Sequence, residues 1–462
     1  MRRGIALLLV LAAACGAPTP ANIPTATPTG VALASPTVSP AATPTPVPTA
    51  TAQPTAVPTA TASPRPTQAP LPEQLRAYWV DAFGDGIYTP AQIDELVAHA
   101  KAANVNAIIA QVVRRGDCFC NDALTPRTEE RIAASPFDPL RTLIDKAHAQ
   151  GIEVHAWVIV TGIWRGTTPP KDPRHVFNTN GPGAAGPAYW LMRRSDGADR
   201  LTAEGQEFFL DPGHPDAATY MVRMVTSIVE KYAVDGVNLD RIRYPDGNIG
   251  GAPSWGYNPT ALDRFRAETG RSDTPAATDA QWMQWRRDRI TDLVRRIYTE
   301  STALRPGIRV SADTITYGEA PQSAGGWTAT RTYREVLQDW VTWMRAGILD
   351  MNIPMAYKRD ADATQRRQYE EWVAFAKEQH HGRHVAIGTA LYLNEIEGSV
   401  RQVRTAVSNG GGWVGYSYRS PDTLATAGSR SGTASRELLL RALTADLFAR
   451  PARVPAMPWK PR

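Results

Sequence analysis

From Arg76 onward, short apolar runs rich in β-branched and aromatic residues alternate with longer amphipathic stretches, the pattern of parallel strands joined by helices. The runs RAYWVDAF, VNAIIAQVV, IEVHAWVIV, DGVNLD, IRVSADTI, LDMNIPMAY, HVAIGTALYL and GGWVGYSY predict eight strands. Between them PAQIDELVAHAKAAN, FDPLRTLIDKAHAQG, PDAATYMVRMVTSIVEKYA and DAQWMQWRRDRITDLVRRIYTE read as helices, with Pro or Asp near the start and Gly or Asn at several ends. Repetition of this unit over residues 73–450 predicts an α/β fold, a (β/α)8 TIM barrel with extended loops at its C-terminal face. An open doubly wound sheet that binds nucleotides would carry a Gly-rich turn after its first strand. Here that strand runs into DAFGDGIYTP, which has neither G-x-G-x-x-G nor a Walker signature.

The pattern upstream is different in kind. Met1-Arg2-Arg3 precedes an apolar run from Ile5 to Ala14 and then Cys15-Gly16, the layout of an export signal and too short for a membrane span of ~20 residues. The Ala-Ala-Ala-Cys step resembles a bacterial lipobox, so residues 1–15 are expected to form a lipoprotein signal with Cys15 as the lipidated residue. An ordinary cleaved signal with an incidental cysteine is the alternative. Residues 16–72 form a Pro/Thr/Ala-rich tract with no charged residue between Arg3 and Arg65. It cannot build a core, and its prolines favour an extended spacer of ~3.1 Å per residue. The expected location is therefore the extracytoplasmic side of a membrane, held there through the N-terminal lipid alone. Residues 451–462 read as a C-terminal tail.

Composition adds limits. Of 462 residues, 43% are hydrophobic and 21% charged, which suits a globular body with a substantial core. The net charge of +5 is spread among interspersed acids and bases, so no nucleic-acid footprint is expected, and the protein is read as a monomer. No His/Cys/Asp/Glu spacing suggests a metal, and no cofactor is expected. Cys118 and Cys120 stand too close for the usual zinc pairs; free thiols and a tight local disulfide both remain open.

In a barrel of this class, chemistry sits at the C-terminal ends of the strands and on the loops after them. Applied here, that rule selects Asp81; Arg114, Arg115 and Asp117; His155 and Trp157; Asp240, Arg241, Arg243 and Tyr244; Asp313; Tyr357; Tyr392; and Tyr416. Carboxylates to move protons, arginines to hold polar groups and flat aromatics to cover a sugar ring point to carbohydrate as the partner. Asp240, in DGVNLDRIRYPDG, is the leading catalytic candidate, with a loop-shaping ion pair to Arg241 or Arg243 as its structural alternative. Asp313 is its expected partner, and Asp81 and Glu319 stand in reserve. Arg241 and Arg243 beside Asp240 suit it to the nucleophile's part. His155 and Trp157 read equally well as barrel-core residues. Asp350 lies at the N-terminal end of its strand, where a structural role is expected. Trp282 and Trp285 are expected to pack a helix against the sheet. The long segment from Thr161 to Phe209, with Trp164, Tyr189 and Trp190, predicts a lid or cleft wall, or else a surface insertion.

Seven ordered blocks, RAYWVDAF, NVNAIIAQVVRRGD, FDPLRTLIDKAHAQGIEVHAW, FFLDPGHPDA, VDGVNLDRIRYP, LDMNIPMAY and GGWVGYSY, resemble the bacterial glycosyl hydrolase-like family 10 proteins, a group distinct from the similarly numbered xylanases. The resemblance runs from about Leu75 to Ser420. It implies a TIM barrel and glycoside hydrolase activity, and it places Asp240 at the acidic position ending the family's fourth strand. The chain departs from the family at Val113, where an Arg is common, and at Arg241, where a second acid or a Tyr often follows. The expected function is hydrolysis of a poly- or oligosaccharide at the cell envelope by a strand-end carboxylate pair. Non-catalytic binding of envelope glycan is the competing reading, and a structural surface protein a third.

Overall fold

The structure, a computed structural model, describes residues 70–202, 206–248 and 253–460. The expected lipidation at Cys15, and the expected spacer up to residue 69, lie outside the described residues.

The strands are β1 (Arg76–Val80), β2 (Ala107–Val113), β3 (Glu153–Ile159), β4 (Gly162–Arg165), β5 (Glu207–Phe209), β6 (Gly236–Asp240), β7 (Arg309–Ile315), β8 (Met351–Met355), β9 (His384–Ala390) and β10 (Gly412–Tyr416). Eight of them close into a barrel in the order β1-β2-β3-β6-β7-β8-β9-β10. Neighbours in the barrel pair in parallel, and β10 returns to β1 with Trp79 opposite Tyr416. The (β/α)8 barrel expected from the sequence is the observed fold. β4 and β5 form a separate antiparallel hairpin.

Each barrel strand is buried on both faces, because the helices cover the outside and side chains fill the inside. Alternation divides the two layers. In β1, Ala77 and Trp79 join the inner cluster, while Tyr78 and Val80 join the outer one beneath the helices. In β6, Val237 and Leu239 take the outer layer, so Asn238 and Asp240 face inward. Helix starts are sharply defined: Thr89, Asp138, His214 and Asp279 each accept backbone N–H bonds at the entry of a helix.

One packing expectation is revised. Trp282 and Trp285 stack on each other at 5.1 Å, and they pack against Phe265 of the helix Pro259–Thr269 and against Tyr257 just before it, rather than against the sheet. The C-terminal tail is integrated with the barrel's N-terminal end: Arg453 O accepts from Gln74 N, and Trp459 Nε1 donates to Asp350 at 2.7 Å. Asp350 itself is fully buried, receiving Val310 N at 2.8 Å and pairing with Lys460 Nζ at 3.0 Å.

Candidate active site

The C-terminal ends of the strands surround a cavity of about 380 Å³ lined by Asp240 and Asp313 among aromatic side chains. Asp240 ends β6 with one oxygen accepting Trp157 Nε1 at 3.1 Å and the other accepting Arg241 N at 2.6 Å. The second bond depends on an uncommon backbone. Arg241 has φ +48°, a left-handed conformation that few non-glycine residues adopt, and it folds the main chain back over the carboxylate. Thr161 Oγ1 donates to Arg241 O at 2.7 Å, and Glu207 Oε2 of β5 meets its guanidinium at 2.5 Å, so the hairpin holds the strained residue in place.

Asp313 lies on β7 and is 1% exposed. Its Oδ1 accepts from Asn238 Nδ2 at 2.8 Å; the same amide donates to Ser311 Oγ, while its oxygen accepts from Trp79 Nε1 at 3.3 Å. Burial, followed by the nearby charge of Asp240, drives the Asp313 pKa well above the usual carboxylate range, despite the opposing Asn238 bond. Asp313 therefore favours its protonated form, a carboxylic acid lining the same cavity as a second carboxyl group.

Trp79, Trp157, Tyr357 and Tyr416 form the aromatic wall. Tyr357 and Tyr416 stack at 5.5 Å, and Trp79 stands edge-on to both, at 6.3 and 6.2 Å. Burial pushes both phenols upward, which keeps them as O–H donors. Polar side chains complete the lining: Arg241, Arg243, Thr316, Tyr317 and Lys358. Lys358 Nζ donates to Thr316 O at 2.8 Å, and burial lowers its pKa to about 8. Phe83 stands at the rim, 53% exposed, with the Arg114 guanidinium 4.8 Å from its ring.

Of the residues singled out from the sequence, Asp240, Asp313, Trp157, Arg241, Arg243, Tyr357 and Tyr416 come together around this cavity. Tyr392 stands behind it, edge-on to Tyr357 and Tyr416. Tyr244 lines a smaller adjoining hollow that shares Arg241, Arg243 and Tyr317. The others lie elsewhere. Asp81 is buried behind the wall and accepts from Phe83 N at 3.1 Å and Arg419 Nε at 3.2 Å, which fixes the loop after β1. Arg115 and Asp117 form a network with Glu130 and Thr128 beside Trp164. His155 is fully buried opposite Gly236, the first residue of β6, and bonds Glu153 at 3.0 Å; this places it in the barrel's N-terminal half. Glu319 pairs with Arg367 outside the cavity.

Trp79, Phe83, Gln111, Tyr317 and Lys358 are cavity residues that the strand-end rule passed over, as it did Asn238, which holds Asp313. Period-two alternation carried the missing signal for two of them: Trp79 follows Ala77 on the inward face of β1, and Asn238 precedes Asp240 by two on β6. Trp79 also depends on a space left by another strand. A Cβ at Gly388 of β9 would lie 2.5 Å from Trp79 Cη2. Gly388→Ala is therefore expected to displace the indole and its bond to Asn238, weakening glycan binding at least about tenfold, ~1.4 kcal/mol, with the barrel still folded. Titration of a bound glycan alongside circular dichroism checks this; unchanged affinity would remove Trp79 from the binding surface.

In the segment from Thr161 to Phe209, Trp164 and Tyr189 are buried and Trp190 packs on His214 and Tyr220. The segment meets the site through Thr161 and Glu207 instead. Cys118 and Cys120 are joined as a disulfide. Among the described residues, no group of three or more His, Cys, Asp or Glu is placed to hold a metal ion.

The family model described as "Glycosyl hydrolase-like 10" matches residues 74–404. The glycosyl hydrolase DigH of Escherichia coli (strain K12) is 25% identical over 274 residues, 58% of this chain and 57% of that protein, so this chain spans just over half the length of that relative. The glycosyl hydrolase YngK of Bacillus subtilis (strain 168) is 23% identical over 418 residues, 84% of this chain and 74% of YngK. Among solved structures, the PgaB (BpsB) glycoside hydrolase domain from Bordetella bronchiseptica superposes with a TM-score of 0.53 at 16% identity, covering 80% of this chain and 99% of that one. That last likeness concerns the fold alone.

Proposed function

This chain belongs to the glycosyl hydrolase-like 10 family, and from that premise we propose that it hydrolyses glycosidic bonds of an oligo- or polysaccharide at the cell envelope, with Asp240 and Asp313 as its two carboxyl groups. The observation that carries the reading is the pair itself: two acids at barrel strand ends line one aromatic-walled cavity, and one of them is driven to keep its proton. Glycoside hydrolysis requires that division of labour, an acid to protonate the leaving oxygen and a carboxylate to attack or to activate water. Asp313 supplies the proton. Asp240, oriented by Trp157 and by the Arg241 main chain, serves as nucleophile or base.

The neutral phenols of Tyr357 and Tyr416 hydrogen-bond sugar hydroxyls, and the indoles of Trp79 and Trp157 cover the ring's apolar face. Arg241 and Arg243 serve as further polar contacts. The carboxyl separation decides the outcome: about 5 Å gives retention through a covalent intermediate, about 6.5–9.5 Å inversion through water. In this reading Cys15 carries the lipid, and the protein works at the extracytoplasmic membrane surface.

The test is a panel of bacterial and plant polysaccharides incubated with the purified protein. New reducing ends are expected from at least one of them and none from Asp240→Asn. Binding without product from any glycan would replace the enzyme reading with that of a carbohydrate-binding protein.

A further inference from the structure

At the opposite end of the barrel from the carboxyl pair, the starts of β7, β8, β9 and β10 frame a second hollow of about 240 Å³. Its charged lining has one sign. Arg309, Lys377 and Arg383 face it with His380 and His384, and no Asp or Glu is among the lining residues. Arg309 is 4% exposed; its two terminal nitrogens are used, one with His384 Nδ1 at 2.8 Å and the other with Pro455 O at 2.8 Å, but its buried Nε has no partner. A buried cationic N–H without an acceptor is costly unless something fills the position.

The surrounding charges leave this hollow under-compensated. Lys377 Nζ donates to Thr405 O, Ser408 O and Ser408 Oγ, all neutral groups. Asp350 is shared between Arg383 at 3.5 Å and Lys460 at 3.0 Å, so one acid is divided between two cations. Glu153 and Asp235 line an adjoining hollow that shares Arg309, and with Asp350 they act on it from outside this lining. Burial, and then Arg309, push the His384 pKa down to about 4, so its ring is neutral and accepts the Arg309 bond.

We propose that this basal hollow is an anion site that binds a phosphate ester of the glycerophosphate type. Several guanidinium and ammonium groups converging on one space match the charge of a phosphate, and the Arg309 Nε–H is a donor without a protein acceptor. The space exceeds a bare phosphate, and Leu75, Met351 and Val385 give it an apolar side suited to a short carbon chain. The position is also distinctive. Leu75, directly before β1, lines the hollow, so the ligand sits where the polypeptide enters the barrel and at the far end from the catalytic mouth. The inference does not depend on the glycoside hydrolase reading.

Isothermal titration of the protein with sn-glycerol 3-phosphate at low ionic strength is expected to show one saturable site. Lys377→Gln is expected to weaken it about tenfold, ~1.4 kcal/mol. Because Lys377 also holds backbone carbonyls, Asn409→Asp is the second variant. Asn409 lines the hollow at φ +53°, a conformation that Asp also tolerates, and the change adds a carboxylate with little alteration of shape. It should weaken binding by a similar factor with an unchanged melting temperature. Co-sedimentation with phosphatidylglycerol vesicles then identifies the source: retention that Asn409→Asp abolishes assigns the site to a lipid headgroup, and soluble binding without retention assigns it to a free or polymer-borne ester. Absence of saturable binding at millimolar ligand, or equal affinity in wild type and both variants, would overturn the proposal.

Discussion

Replacing Asp240 by Asn is expected to lower turnover on a cleaved glycan by at least about 10³, at the upper part of the range for loss of a group acting directly in acid–base or covalent catalysis. The substitution keeps the acceptor for Trp157 Nε1 or Arg241 N and removes the charge, so folding and glycan affinity should change little. Asp313→Asn should also abolish most turnover, with a different signature. The folded-state pKa of Asp313 lies well above its unfolded value of about 3.9. Its contribution to stability is therefore fully present below the unfolded pKa and is lost as pH rises toward and through the folded one. Asn cannot ionise, so Asp313→Asn should be less active than wild type but gain stability relative to it as pH rises above about 4. A general acid must be protonated, so wild-type activity should fall as pH rises through the same folded pKa. Turnover measured against pH, with melting curves of both variants, checks the pair. If Asp313→Asn retained the wild-type pH profile, the proton would come from another group.

The second large effect concerns stability and lies at the other end of the barrel. Asp350→Ala should cost about 3–5 kcal/mol, because it removes the carboxylate that pairs with the buried Lys460 ammonium and with Arg383 and leaves Trp459 Nε1 and Val310 N without their acceptor. Urea denaturation measures this. A loss below about 1 kcal/mol would mean that water or a tail rearrangement satisfies these donors. The cavity at the mouth is remote from Asp350, so the folded fraction should keep its glycan affinity.

Much of the site was legible in the chain because a barrel converts strand order into position. Asp240, Asp313, Tyr357 and Tyr416 could be found at strand ends, and they do face one cavity. His155, Arg115, Asp117 and Glu319 satisfied the same rule of residue type and approximate place, yet the structure sends them elsewhere. Depth along a strand, and the direction of a loop after it, depend on register with the neighbouring strands. The opposition of His155 and Gly236 is an instance.

The sequence by itself determined the periodicity, the eight strands, their order and the barrel end at which Asp240, Asp313 and the aromatic residues gather, because burial on both faces of a parallel strand leaves a mark in the local run of residues. Only the tertiary structure decided how Asn238 links Trp79 to Asp313, how Glu207 steadies Arg241, and how Gly388 makes room for an indole on another strand. Those are contacts between residues far apart in the chain. The elevated pKa of Asp313 belongs with them, since it depends on burial and on the charge of a residue from the adjacent strand, and neither is a property of the residue's own segment.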